Sequence, residues 1–310
     1  MEKVILDVDT GIDDALAILL AIESKQLNIL GITTVNGNVP LDYVVKNTKK
    51  VLKLADRNDI PVYRGANRPL IRESLHEFAV HGDDGLGGAL VNLTVSTECP
   101  DSFAPDYIIQ QARKHTGELT LIMVGPLTNL ALAVRKEPEI ANKIKQVVVM
   151  GGVVSEGGKG NISPTAEFNI YADAEAAKIV FHSGLPIKLV SLDVTMKTFL
   201  TIEDIEKLQG TKYYDFVLTS TEIYRNFSYE KYGQNGSALH DPLTVGIVLE
   251  PSLVTTRKYF VDVETSGELT YGQTICDYRN IWNKEPNVEI CESVDAERFI
   301  SLFINTLKDN

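Results

Sequence analysis

Four carboxylates crowd eight positions near the start of the chain, in the stretch VILDVDTGIDDALAILLA at residues 4–21. Asp7 and Asp9 lie two apart on an extended run, so their side chains project from one face. Gly11 permits a tight turn, which puts Asp13 and Asp14 in a first helical turn. There the helix dipole favours a carboxylate by about 0.3–1 kcal/mol. Capping accounts for two of the four charges but leaves two repelling one another at the entrance to an apolar core, where an unpartnered charge is costly. A hard divalent cation with oxygen ligands accounts for the whole cluster.

The metal reading has three forms. An EF-hand loop counted from Asp7 fails, because Gly11 comes one place early and Ile18 stands where Glu is required. DVDTG also looks like the Asp-x-Asp motif of haloacid-dehalogenase-type phosphatases, with Asp7 as nucleophile and Asp9 as acid. That Mg²⁺ chemistry needs its acidic pair after a much later strand, whereas here the pair follows at once. The third form rests on a longer resemblance, reached after the elements that must hold these residues.

Those elements alternate. Val4–Val8, Ile29–Val35, Leu119–Val124, Gln146–Met150 and Pro186–Leu192 read as buried strands. Asp13–Glu23, Leu41–Ala55 and Thr128–Lys136 read as helices. Such alternation predicts an open, mostly parallel α/β sheet with helices on both faces, whose ligands sit outside the carboxyl ends of the strands. Polar residues gather at those ends: DVDTGIDD, TTVNGN, VGPLTN and MGGVVSEGGKGNISPTAEFN each follow an apolar run, which points to one shared site. Residues 65–105, rich in Gly and Asp, are the candidate mobile loops.

Bulk properties narrow the partners. The chain has 310 residues, 44% hydrophobic, with a formal charge of −12, which disfavours nucleic acid and anionic membranes. Cys99, Cys276 and Cys291 are too few and too scattered for a disulfide framework or a zinc site. The amino terminus lacks the apolar run of a secretion signal, and no stretch nears the roughly 18 apolar residues of a membrane span. A cytoplasmic protein of one domain, residues 1–310, is expected.

DVDTGIDDALAILLA resembles the amino-terminal signature of the inosine–uridine-preferring nucleoside hydrolases. TVNGN, VGPLTNLALA, VVVMGG, GNISPTAEFNIYADAEAA and HDPL then follow in that family's order. The resemblance implies a Rossmann-like nucleoside hydrolase fold, hydrolysis of purine or pyrimidine ribonucleosides to ribose and free base for salvage, and a homodimer or homotetramer. It implies one Ca²⁺ held by Asp9, Asp14, Asp241 and the Val124 carbonyl. Asp9 would also be the general base toward water beside the cation, with Asn38 near the reacting centre. Asp13 would hydrogen-bond ribose hydroxyls, Asn169 the 2′- and 3′-hydroxyls, and Asn161 and Glu167 the 5′-hydroxyl, and Met150 would pack on the sugar. His240 would protonate the departing base, and His81 would close over it. Tyr224 and Tyr229 supply aromatic faces in the second loop, for stacking on the base or for packing the helix. Without the resemblance, HDP reads as a simple turn, since Pro242 blocks helix continuation. A non-catalytic calcium- or sugar-binding protein would keep the same pocket.

Overall fold

The computed structural model describes residues 1–309. The first half of the chain runs β1 (Glu2–Val8), α1 (Ile12–Glu23), β2 (Leu27–Thr34), α2 (Leu41–Leu54), β3 (Val62–Arg64), α3 (Phe78–His81), α4 (Ala104–Lys114), β4 (Leu119–Met123), α5 (Thr128–Lys136) and β5 (Ile144–Met150). It continues through α6 (Phe168–Ala172), α7 (Ala174–Phe181), β6 (Ile187–Val190), α8 (Leu192–Thr195), β7 (Phe199–Leu200), α9 (Ile202–Glu206) and α10 (Tyr214–Tyr232). The last part comprises β8 (Ser237–Ala238), α11 (His240–Leu249), β9 (Val254–Tyr259), β10 (Val261–Val263), β11 (Thr274–Cys276), β12 (Val288–Val294) and α12 (Ala296–Lys308).

Eight strands form one sheet in the order β3-β2-β1-β4-β5-β6-β12-β9. All neighbours are parallel except β9, which runs antiparallel to β12 at the edge. Central strands are apolar along their length because helices cover both faces: all five residues of β4 are buried. The expected strands and helices recur with ends shifted by no more than two residues. The carboxyl-terminal strands β9 to β12 add to that expectation.

Helix α1 is buried at every residue, and between its first-turn acids and Glu23 it is apolar on every face, as a helix enclosed by its neighbours must be. It packs against α11 and α12. Helix α12 is amphipathic instead, burying Phe299, Phe303, Ile304 and Leu307. The HDP segment is not a turn: His240, Asp241 and Pro242 open α11. Proline is tolerated there because first-turn N–H groups have no intrahelical acceptor to lose. Residues 65–105 are irregular apart from α3 and the start of α4, and Gly82, Gly85, Gly87 and Gly88 take positive φ values of 59–80°. No helix among the described residues is long and apolar enough to cross a membrane.

The chain leaves β1 toward β2 and β3, then returns to β4 on the other side of β1. That reversal opens a crevice between the carboxyl ends of β1 and β4, where sheets of this kind bind ligands.

Candidate active site

The floor of the crevice is built where β1 passes into α1. Asp14 is fixed by three donors: the Asp9 amide (3.0 Å), the Gly11 amide (2.9 Å) and Asn38 Nδ2 (3.1 Å). Asp9 lies beside it in a slot between the ends of β2 and β4. Its Oδ2 accepts the Asn38 amide at 2.7 Å, while its buried Oδ1 meets no donor. The slot requires glycine on both sides. A Cβ on Gly37 would fall 2.0 Å from Asp9 Oδ2, and one on Gly125 would fall 3.0 Å from Oδ1. Asp241 arrives from the far end of the sequence on the first turn of α11, which packs on α1. Carboxylate oxygens of Asp13, Asp14 and Asp241 lie within 4.8 Å of one another.

Asp9, Asp13, Asp14 and Asp241 are each no more than 6% exposed. Burial, followed by the neighbouring acids, pushes Asp9, Asp13 and Asp241 well above the usual carboxylate range. Asp14 is also raised by burial, and its donors oppose the shift. Two like charges at 4.8 Å repel by about 3.5 kcal/mol at an effective dielectric constant near 20. A buried all-oxygen cluster with an orphaned carboxylate oxygen suits a hard divalent cation. The triple within 4.8 Å includes Asp13, which the resemblance assigns to ribose, and not Asp9, which it assigns to the metal.

Asp7 has another task. Its Oδ2 accepts from Thr33 Oγ1 (2.5 Å) and Asn129 Nδ2 (2.8 Å), beneath the crevice. Asn129 Oδ1 in turn accepts the Ala66 amide at 2.9 Å. Burial raises the Asp7 carboxyl to about 7. Asp7, Asp9 and Asp14 all lie fully enclosed behind the pocket wall. Asp7 alone has its Oδ2 committed to Thr33 and Asn129, and with the acidic pair following at once it lacks the setting of a dehalogenase-type nucleophile.

The next wall comes from β4, β5 and the loop before α6. Asn169 Nδ2 donates to the Val124 carbonyl at 2.8 Å, with Met150 beside it. Glu167 caps α6, accepting from the amides of Asn169 (2.9 Å) and Ile170 (3.1 Å), and also takes the Gly152 amide at 2.9 Å. Asn161 Oδ1 accepts the Phe168 amide at 2.9 Å, which leaves its Nδ2 as a donor. Val124, Met150, Asn161, Glu167 and Asn169 all line the pocket that holds Asp13, Asn38 and Asp241.

Two histidines and a tyrosine define the opposite end. The Tyr224 ring lies 6.1 Å from that of His81 and 6.4 Å from that of His240. His81 Nδ1 accepts the Ile12 amide at 3.0 Å, and His240 Nδ1 lies 2.7 Å from Thr195 Oγ1. Burial lowers His81 to about 3, with His240 adding to the effect, and lowers His240 to about 4. Both rings are therefore neutral near pH 7.

Tyr229 does not join them: it is 67% exposed and off the pocket wall. On α10 the pocket face carries Tyr224, Phe227, Ser228 and Tyr232, following the helical i, i+3, i+4 and i+8 spacing. That period, counted from Tyr224, was the signal for the missed residues. Glu77 and Phe199 also line this end, and no local pattern marks either.

A family model described as inosine-uridine preferring nucleoside hydrolase matches residues 4–301. Pyrimidine-specific ribonucleoside hydrolase RihA of Shigella boydii is 39% identical over 309 residues, covering 98% of each chain. The solved plant nucleoside hydrolase PpNRh1 superposes with a TM-score of 0.93 at 36% identity, covering 100% of this chain and 99% of that one. The purine-preferring ribonucleoside hydrolase from Gardnerella vaginalis gives 0.92 at 33%, covering 99% and 98%. With a shared sheet, a shared length and an acidic crevice at the strand ends, the chain belongs to the inosine-uridine preferring nucleoside hydrolases, enzymes that act on N-glycosyl compounds.

Proposed function

We propose that the protein hydrolyses the N-glycosidic bond of purine or pyrimidine ribonucleosides, with Ca²⁺ held among Asp9, Asp14, Asp241 and the Val124 carbonyl. The observation that carries this reading is the buried acidic floor facing a wall of sugar-compatible polar groups. Bound calcium would supply the positive charge that keeps these carboxylates ionised and would anchor the ribose diol. Asp9 takes one proton from the attacking water, whose oxygen bonds to the anomeric carbon as that carbon becomes oxocarbenium-like. The carbon–nitrogen bond breaks while the neutral His240 ring donates a hydrogen bond to the departing base nitrogen. As His240 passes that proton on, it is replaced from the one Asp9 took from water, so the base gains one proton and the site returns to its starting state.

Asp13 and Asn169 hold the 2′- and 3′-hydroxyls, and Asn161 and Glu167 hold the 5′-hydroxyl. Met150 packs on the sugar, and Asn38 braces Asp9 and Asp14. A deoxyribonucleoside would leave buried groups unpaired and react far more slowly. His81 and Tyr224 flank the base. The relatives carry names of opposite base preference, pyrimidine-specific and purine-preferring, so a panel of nucleosides decides the substrate. The expected result is release of reducing sugar from inosine or uridine without phosphate release from nucleotides. Nucleoside binding without turnover, or phosphate release alone, would overturn the reading. A homodimer or homotetramer working in cytoplasmic nucleoside salvage is the setting we propose.

A further inference from the structure

His240 lines the pocket, and its Nδ1 lies 2.7 Å from the Thr195 hydroxyl. Thr195 is fully buried on the short helix α8, which follows β6 directly. Its backbone amide already donates to the Ser191 carbonyl at 3.1 Å. Among the described residues its Oγ1 has no partner but His240 Nδ1. A hydroxyl carries one hydrogen, and a buried hydrogen left without an acceptor costs about 1–3 kcal/mol. Were Nδ1 the donor, the hydroxyl hydrogen would have nowhere to go. Were the hydroxyl the donor, every group would be satisfied, and the neutral ring would carry its proton on Nε2.

The other histidine supplies an independent precedent within the same pocket. The Ile12 amide can only donate, so His81 Nδ1 must accept, and its ring proton also sits on Nε2. The amide belongs to the first residue of α1, one of the N–H groups a helix start leaves free. Gly11 makes room for this approach, since a Cβ there would fall 2.4 Å from His81 Nδ1.

We propose that Thr195 is a positioning residue whose hydroxyl donates to His240 Nδ1 and thereby fixes the proton on Nε2, the nitrogen left to meet the substrate's base. The inference rests on the nucleoside hydrolase reading for its catalytic consequence but not for its hydrogen-bond content. Without the hydroxyl, the ring is free to place its proton on Nδ1 and present a bare Nε2 to a base that needs a donor.

Two measurements test it. Long-range ¹⁵N–¹H correlation spectra of the calcium-loaded protein should show His240 protonated at Nε2 and bare at Nδ1; the reverse would overturn the proposal even if no nucleoside were turned over. Thr195→Val should lower kcat on nucleosides at least tenfold while changing KM less than threefold. Hydrolysis of p-nitrophenyl riboside, whose leaving group needs no proton, should fall less than twofold, and Thr195→Ser should restore nucleoside turnover to within threefold. Full turnover by the valine variant, or equal losses on both substrate types, would refute the role. If valine prevents folding, the wild-type spectrum and the serine variant still decide. Wild-type protein that turned over no nucleoside, with the expected spectrum, would count against the proposed function alone.

Discussion

Replacing Asp241 by Asn should have opposite consequences with and without calcium. Asp241 faces Asp13, Asp14 and Asp9, with carboxylate oxygens of the first two within 4.8 Å. Each such pair repels by about 3.5 kcal/mol at an effective dielectric constant near 20. Proton uptake relieves much of this, because the cluster's carboxyls are held above their usual range, and about 1–2 kcal/mol remains to be recovered by neutralising Asp241. With an unfolding entropy of about 2.1 cal/mol/K per residue, the 310-residue chain shifts its Tm by about 1.5 °C per kcal/mol. In EDTA at pH 8 the variant should therefore melt about 2–3 °C above wild type. Calcium at one hundred times its Kd adds about 2.7 kcal/mol to wild type, or about 4 °C. If the variant binds a hundredfold more weakly, the same concentration adds only about 0.4 kcal/mol, less than 1 °C. Scanning calorimetry reads all four values. A variant that melts below wild type in EDTA, or gains as much from calcium, would show that Asp241 is not a ligand in a repelling cluster.

Four other outcomes follow from the same geometry. Asp9→Ala should cut kcat by about 10²–10⁴-fold, the usual contribution of a positioned base, while equilibrium dialysis still detects nucleoside binding. Gly37→Ala would place a Cβ 2.0 Å from Asp9 Oδ2 and should lower kcat at least tenfold with the melting transition retained; full activity would mean the slot is not needed. In EDTA, stability should fall as pH rises from 5 to 8. Asp9, Asp13 and Asp241 bind protons more tightly folded than unfolded, so their stabilising protonation, complete below the unfolded pKa near 4, is lost as pH climbs through the folded values. Calcium should flatten that slope. His240→Ala should slow nucleosides with poor leaving bases more than those with good ones, and an equal loss across a panel would exclude it as proton donor.

Strand–helix alternation made the sheet legible because parallel strands covered on both faces are predominantly apolar where buried, as Val4–Leu6 of β1 and most of β4 are. The acidic floor was legible for the opposite reason: polar residues abruptly end those runs. What escaped depended on contacts remote in sequence or on helix phase. Tyr229 and Tyr224 look equivalent in EIYRNFSYEKYG, yet five helical residues turn a side chain about 140° away, and only Tyr224 faces the pocket. Pro242 read as a helix stop because its effect depends on position, and only the fold reveals that α11 begins at His240. Asp7 carried the same local signal as Asp9. Its diversion to Thr33 and Asn129 is set by partners 26 and 122 residues away.

The distance in sequence between Asp14 and Asp241 bears on biosynthesis. A ribosome that has delivered everything through α10 has released Asp9, Asp13 and Asp14 but not the residue that completes their oxygen cage. Until α11 emerges and docks on α1, the growing polypeptide must shelter an apolar first helix and several acids that lack their last companion. On the proposed calcium reading, capture of an ion would come late and would tie the beginning of the message to its end.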